Sequence, residues 1–443
     1  MNQNNLMEKI ISLAKRRGFI FQSSEIYGGL AGVWDYGPLG VELKNNIKRE
    51  FWRAMVLSRE DVFGIDAGIL MHPRVWEASG HIEFFNDPLV ECKICHQRFR
   101  ADNKDLILEH ENWHKEKNEK VSWTEPRNFN LLVEAYLGTV EGEKSKVYLR
   151  GEITQGVHVN FKNILNTLSP KLPFGIAQIG KAFRNEISPG NFTFRSREFE
   201  QMELQYYVYP DDEKSMEYLE YWKNERLNWY ISLGLKKENL RLREHSKDEL
   251  AHYAKGAWDI EYNTPFGGFK ELEGIHHRGN WDLKRHSEYS GEDLSYFDLN
   301  TNKKIIPYVI ETSGGVDRAV LFFLINAYFE DKDRVVLKLH PKLAPYKIAV
   351  FPLLANKPEL VNLAYKIYKD LKPHFMTAWD DRGNIGKRYY SQDEIGTPYC
   401  ITVDFDSLKN QDVTVRDRDT TAQIRVPIDK LKAYFEKKLT NEI

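Results

Sequence analysis

Two stretches of this 443-residue chain concentrate side chains suited to phosphate chemistry. In FRNEISPGNFTFRSREFEQMELQYY (183–207), Arg184 and Glu186 are two residues apart, the spacing that puts both on one face of a strand. Pro189 and Gly190 turn the chain, and Arg195, Arg197 and Phe199 stand across the resulting hairpin. A fixed guanidinium grips a phosphate through two parallel hydrogen bonds, and a phenylalanine ring gives a base a surface to stack on. The plain alternative is an exposed, salt-bridged hairpin. In ETSGGVDRAVLFFLINAY (311–328), Gly314 and Gly315 close a strand and lead into a helix with Arg318 in its first turn. Paired glycines let a ligand approach the backbone. Arginine is unfavourable at that end of the helix dipole, so it calls for an anionic or aromatic partner.

A third set is Cys92-x2-Cys95, fourteen residues, then His110-x3-His114. Two ligand pairs of this kind suit tetrahedral zinc, and a helix would put both histidines on one face. His96 competes as a ligand. The alternative is a reduced thiol pair near unrelated histidines.

The elements that must position these residues follow from periodicity. Helices are expected from the N-terminus to about Gly18, over Leu39–Leu57, Gln155–Leu168 and Asp212–Leu233, from Ser246, and over Asp317–Tyr328. AWDIEYN and FKELEGIH alternate like strands around the turn TPFGG, and KKIIPYVIETS reads as one further strand. Long strands interleaved with distant helices imply a mixed, largely antiparallel sheet. HPKLAP at 340–345 marks a boundary. It divides residues 1–340, with a charged insertion at about 91–125, from an α/β domain at 345–443. In that domain a helix (358–371) and a strand (374–379) precede strands at 399–405, 413–417 and 422–427 and a last helix from Pro427.

Net charge is −2, so composition carries no nucleic-acid signal, and the last domain is nearly balanced, with 16 basic against 14 acidic residues. No run of eighteen apolar residues exists and the N-terminus lacks a secretory core, so no membrane span is expected. Three cysteines fit a reducing, cytoplasmic compartment.

The first two stretches resemble motifs 2 and 3 of class II aminoacyl-tRNA synthetases, and GVWDYGPLGVELKNNIKREFWRAMV (32–56) looks like motif 1 at a dimer interface. LMHPRVWEASGH (70–81), RGEITQGVHVNFKN (150–163), GIHHRGNWDL (274–283) and WDDRGNIGKRYYSQDEIGTPYCITVDF (379–405) are similar to the homodimeric glycyl-tRNA synthetases specifically, so the resemblance spans essentially the whole chain. It implies an α+β class II catalytic domain with an anticodon-binding domain, the substrates ATP (with Mg²⁺), glycine and tRNA(Gly), and a structural Zn²⁺.

By the same resemblance, ATP falls to Arg184, Asn185, Glu186, Phe194, Arg195, Phe199, Glu271, Leu272, Gly315 and Arg318. Arg184 would meet the α-phosphate, Arg318 the γ-phosphate and the adenine face opposite Phe199, and Glu271 the Mg²⁺. Glu186 would read the adenine amino group or orient the tRNA end. Glycine falls to Arg100 (its carboxylate), Glu152, Phe199, Glu203, Glu311 and Ser313. The family usually has Pro-Glu-Thr-Ala-Gln where this chain has Gly151-Glu152-Ile153-Thr154-Gln155. Two rivals share parts of the pattern: a catalytically silent relative such as the accessory subunit of the mitochondrial DNA polymerase, and a class II synthetase for another amino acid.

Overall fold

A computed structural model describes residues 3–139, 144–250, 254–331 and 334–440. The first domain is built on seven strands: β1 (Val62–Gly64), β2 (Phe174–Phe183), β3 (Glu198–Val208), β4 (Leu240–Glu244), β5 (Gly256–Thr264), β6 (Gly268–Gly279) and β7 (Tyr308–Gly315). Their spatial order is β4-β5-β6-β7-β3-β2-β1, antiparallel throughout except for the β1–β2 pair. The alternation of β3 separates its two faces. Met202, Leu204, Tyr206 and Val208 enter a core made with the helices Gln3–Arg16, Pro38–Trp52, Asp212–Ser232 and Val316–Ala327. On the other face Tyr207 joins a smaller core with Phe161, Phe174 and Val309, while Phe199, Gln201 and Glu203 line a cleft.

Most expected helices are present, with their local causes visible. Asp211 accepts from the Lys214 amide (3.0 Å) and so caps Asp212–Ser232. Pro38 is the first residue of its helix, which ends in a π-turn at Arg53–Leu57. Gln155–Leu168 divides into Thr154–Val159 and Phe161–Leu168 at Asn160, whose backbone (φ −96°, ψ 0°) leaves the helical region. No helix starts at Ser246: its amide and hydroxyl both donate to Glu249 (2.9 and 3.1 Å) and close a turn, and residues 251–253 beyond it lie outside the described residues. The stretch 303–313 is two strands, because Pro307 has no amide to continue a ladder; Lys303–Ile305 pairs with Tyr296–Asp298, and β7 begins at Tyr308.

The inserted unit is wider than its charged segment. A sheet of Asn86–Glu91, Arg98–Arg100 and Arg127–Asn130 holds the helix Lys104–Glu116. In the last domain Ile348–Pro352 lies between Thr377–Trp379 and Tyr399–Val403, all parallel, and Asp412–Asp417 and Gln423–Pro427 extend the sheet antiparallel. A helix at Ile385–Ile395 escapes the sequence reading because its buried side is mostly polar: Arg388, Gln392 and Asp393, with only Ile395 apolar. Ile395 packs into the first domain's core with Leu337, Leu339 and Leu343, so a cut at the 340–345 boundary would strip a surface of the first domain. Lys347 donates to the carbonyls of Pro341, Lys342 and Ala344 (2.7–2.8 Å) and Asn46 to those of Leu343 and Ala344 (3.1 Å), which straps the linker to the Pro38–Trp52 helix. Among the described residues no helix is long and apolar enough to cross a membrane.

Candidate active site

Sheet register builds the centre of a cleft of about 550 Å³. Glu203 on β3 lies opposite Ser313 on β7, and Ser313 opposite Gly274 on β6. In the next row Gln205 opposes Glu311, and Glu311 opposes His276. Side chains in such rows touch because directly paired residues are about 5 Å apart. Ser313 donates to Glu203 Oε1 (2.6 Å), as does Gln201 Nε2 (2.9 Å). Gln205 donates to Glu311 Oε1 (2.9 Å), and His276 Nδ1 and Arg278 reach Glu311 Oε2 at 2.9 and 3.0 Å. From the neighbouring helix, Thr154 Oγ1 sits 2.7 Å from Glu203 and 2.8 Å from Glu311, and its one proton serves one of them at a time.

These carboxylates are not equivalent. Burial pushes Glu152 up, but His81 (3.3 Å) and Arg278 overcome it and hold it at about 2. Burial acts on Glu311 too, and Arg278 and His276 bring it well below the ordinary range. Among the described residues Glu203 has only neutral hydrogen-bond partners. Burial first, then the negative charges of Glu311 and Glu152, raise it well above an ordinary glutamate. The carbonyl oxygen of Gln201 is buried beside it without a partner among the described residues. An uncompensated carboxylate next to an orphaned acceptor asks for a small cation with several donors.

Further along the cleft stand two arginine–phenylalanine pairs. The Arg184 guanidinium is 5.2 Å from the Phe199 ring centre and 5.1 Å from that of Phe85, and its Nε donates to the Gly151 carbonyl (3.0 Å). Arg318 stands 4.6 Å over Phe194 and pairs with Glu271 (3.0 Å). That partner keeps Glu271 below the ordinary carboxylate range. Glu186 is raised by burial, one of its oxygens has no partner among the described residues, and Arg195 lies 4.0 Å away.

Most of the expected residues therefore share one cleft, with four differences. Arg184 and Glu186 follow the end of β2 in a loop, rather than lying in the strand. Leu272 is buried in the core: the β5–β6 pairing slips so that Ile260 faces Glu273 and Glu261 faces Glu271, leaving Leu272 as the extra residue of a bulge. That bulge turns Glu271 toward the cleft. Asn185 is exposed, its amide bound to the Leu131 carbonyl (2.8 Å). Arg100 lines the cleft at its Glu186 end, where it is paired with Asp87 (2.9 Å) and Asp102 (2.6 Å) rather than with the Glu203 cluster. The sequence reading had missed Thr154, Gln201, Gln205, His276 and Arg278. Only His276 and Arg278 carried a signal, as two cationic residues alternating on one face of a strand.

The comparisons with known proteins agree with this geometry. A model of the class II tRNA synthetase core domain (G, H, P, S and T) matches residues 138–327, and one of an anticodon binding domain matches 347–438. The glycine–tRNA ligase of Borreliella afzelii is 52% identical over 443 residues, covering 98% of each chain. Those of Caldanaerobacter subterraneus subsp. tengcongensis (52%, covering 98% of each) and Geobacillus kaustophilus (51%, covering 98% of this chain and 99% of the relative) are equally similar. The chain belongs to the glycine–tRNA ligase family.

This member of the glycine–tRNA ligase family also gathers Cys92, Cys95, His110 and His114, whose ligand atoms all lie within 4.8 Å of one another. Cys92 Sγ is 3.7 Å from His114 Nε2 and Cys95 Sγ 3.4 Å from His110 Nε2, close to the edge lengths of a tetrahedron with metal bonds of about 2.0–2.3 Å. Glu119 reaches His114 Nδ1 (2.5 Å), which leaves Nε2 as the ligand atom. His96 is exposed and pairs with Glu91 (3.0 Å), outside the set.

Proposed function

We propose that the chain attaches glycine to tRNA(Gly) at the expense of ATP, through a glycyl-adenylate. The observation that carries this is Glu203, a buried carboxyl group with no cationic partner among the described residues, bonded to Ser313 and Thr154. An ammonium would pair with it there, and on this reading Ser313 and Thr154 stand where the side chain of a larger amino acid would have to go. The glycine carboxylate then attacks the α-phosphorus, pyrophosphate leaves, and a ribose hydroxyl of the terminal adenosine displaces AMP.

ATP would rearrange the two arginine pairs. Adenine takes the Phe199 ring while Arg184, still held to the Gly151 carbonyl, presents its terminal nitrogens to the α-phosphate, and Arg318 leaves Glu271 for the γ-phosphate. Glu271 would then be free to hold Mg²⁺, which would offset the charge of the phosphates. The orphaned oxygen of Glu186 suits the adenine amino group. ATP–pyrophosphate exchange measured across amino acids tests the reading: glycine alone should support it. Exchange with another amino acid, or none, overturns it.

Two finer points belong to this proposal. Ile26 (88% exposed), Tyr27 (87%) and Leu30, just before the Pro38–Trp52 helix, suit burial against a second copy in a homodimer. The Cys92, Cys95, His110 and His114 set would hold structural zinc, with four protein ligands and no open position. Zinc would order a unit with little apolar core. Purified protein should contain about one zinc per chain. Cys92→Ser with Cys95→Ser should remove it and make residues 91–125 protease-sensitive. Metal-free protein with a protease-resistant insertion would refute the site.

A further inference from the structure

Asp393 is fully buried between two arginines from opposite sides of the domain boundary. Arg416, on the strand Asp412–Asp417, holds both of its oxygens (2.8 and 2.9 Å). Arg334 reaches Oδ2 at 2.7 Å from the hairpin Tyr328–Asp331/Arg334–Leu337. A second contact lies alongside: Glu394 pairs with Arg16 (2.6 Å) and Arg17 (3.3 Å), and Arg17 also donates to Ser391.

A buried ion triad is weak as a source of stability, since apolar side chains of the same volume often do as well. What it supplies is orientation: the Arg416 fork fixes the Asp393 carboxylate within the last domain, and Arg334, itself held to Asp331 of its own hairpin (3.2 Å), meets that carboxylate across the boundary. The orientation matters for what lies at the other end. The hairpin continues directly from the helix Val316–Ala327, whose first turn carries Arg318 in the cleft. That helix is buried along almost its whole length, a rod of about 18 Å with no room to tilt independently.

We infer that Arg334, Asp393 and Arg416 are positioning residues for tRNA charging. They set the last domain's sheet at a fixed distance and angle from the helix that bears Arg318, so that an RNA held by one presents its end to the other. The inference rests on the proposed charging function. With the triad broken, the RNA still binds but its acceptor end arrives misplaced, and small misplacements are costly in rate.

The test uses full-length protein with Arg334→Met, Arg334→Lys and Asp393→Asn, assayed for glycine-dependent exchange without tRNA and for charging with it. For R334M, exchange should stay within about twofold of wild type while the charging kcat falls at least about tenfold, with KM for tRNA within about threefold. R334K, which keeps one ion pair to Asp393, should recover most of the charging rate. Should D393N fail to fold, the two Arg334 variants still decide, since Arg416 continues to neutralise Asp393. Equal loss of exchange and charging would make the triad merely structural, and unchanged charging in folded R334M would also overturn the inference. Wild-type protein without glycine-dependent exchange would overturn the functional reading at its root, a result distinct from either.

Discussion

Arg184→Lys should lower glycine-dependent pyrophosphate exchange by roughly 10²- to 10³-fold, the range for losing one well-placed donor to transition-state charge. Charge alone does not account for the arginine. A lysine would keep the positive charge but lose the flat fork, and with it both the stacking against Phe85 and the Nε bond to the Gly151 carbonyl. That bond anchors one edge of the guanidinium and leaves the terminal nitrogens for an anion. The lysine ammonium has no such anchor and would lean toward the neighbouring carboxylates Asp87 and Glu186, which already feel Arg184. The loss should appear in kcat, with KM for glycine little changed, because the Glu203 cluster is built from other strands. Exchange within about threefold of wild type would remove Arg184 from the reaction centre.

How much of this was legible in the sequence depended on the range of the interaction. The β2–β3 hairpin and the Gly314-Gly315 entry into a helix are local, and alternation and turn residues announce them. The Cys92/Cys95 and His110/His114 pairs are also local, with spacing that geometry at once explains. Thr154, Gln201 and Gln205 are different. Gln201 and Gln205 owe their cross-strand partners to which strand lies beside which, Thr154 to where its helix docks on that sheet, and periodicity is silent about both. Glu271 shows the limit most sharply: strict alternation from Gly274 and His276 would turn it away from the cleft, and one extra residue, Leu272, turns it back. The helix Ile385–Ile395 was illegible for a third reason, since its hidden face is polar and its partners lie far off in the sequence, the Pro352 carbonyl for Arg388 and the pair Arg416 and Arg334 for Asp393.

Glu203→Gln should separate stability from function. In the native state Glu203 sits above its unfolded pKa because burial and the charges of Glu311 and Glu152 disfavour its ionised form. The folded protein therefore holds a proton that the unfolded chain has already lost, and stability falls as pH rises from the ordinary glutamate range through the raised value. The neutral glutamine escapes that loss, so E203Q should melt above wild type at pH 7.5 and differ little from it near pH 4, where glutamate is itself protonated. Glycine binding has the opposite slope. An ammonium needs the carboxylate ionised, so wild-type affinity should rise with pH across the same window as binding expels the proton, and the variant should lose that slope. Taking one partner from a buried, charge-assisted pair commonly costs about 2–5 kcal/mol, or roughly thirtyfold or more in kcat/KM for glycine, while KM for ATP should hold. Thermal melts, glycine titrations and exchange kinetics over that pH range read all of these quantities. A variant that binds glycine as wild type does, with the same pH slope, would show that the ammonium is held elsewhere in the cleft; the next candidate would then be Glu311, whose two cations already hold it ionised.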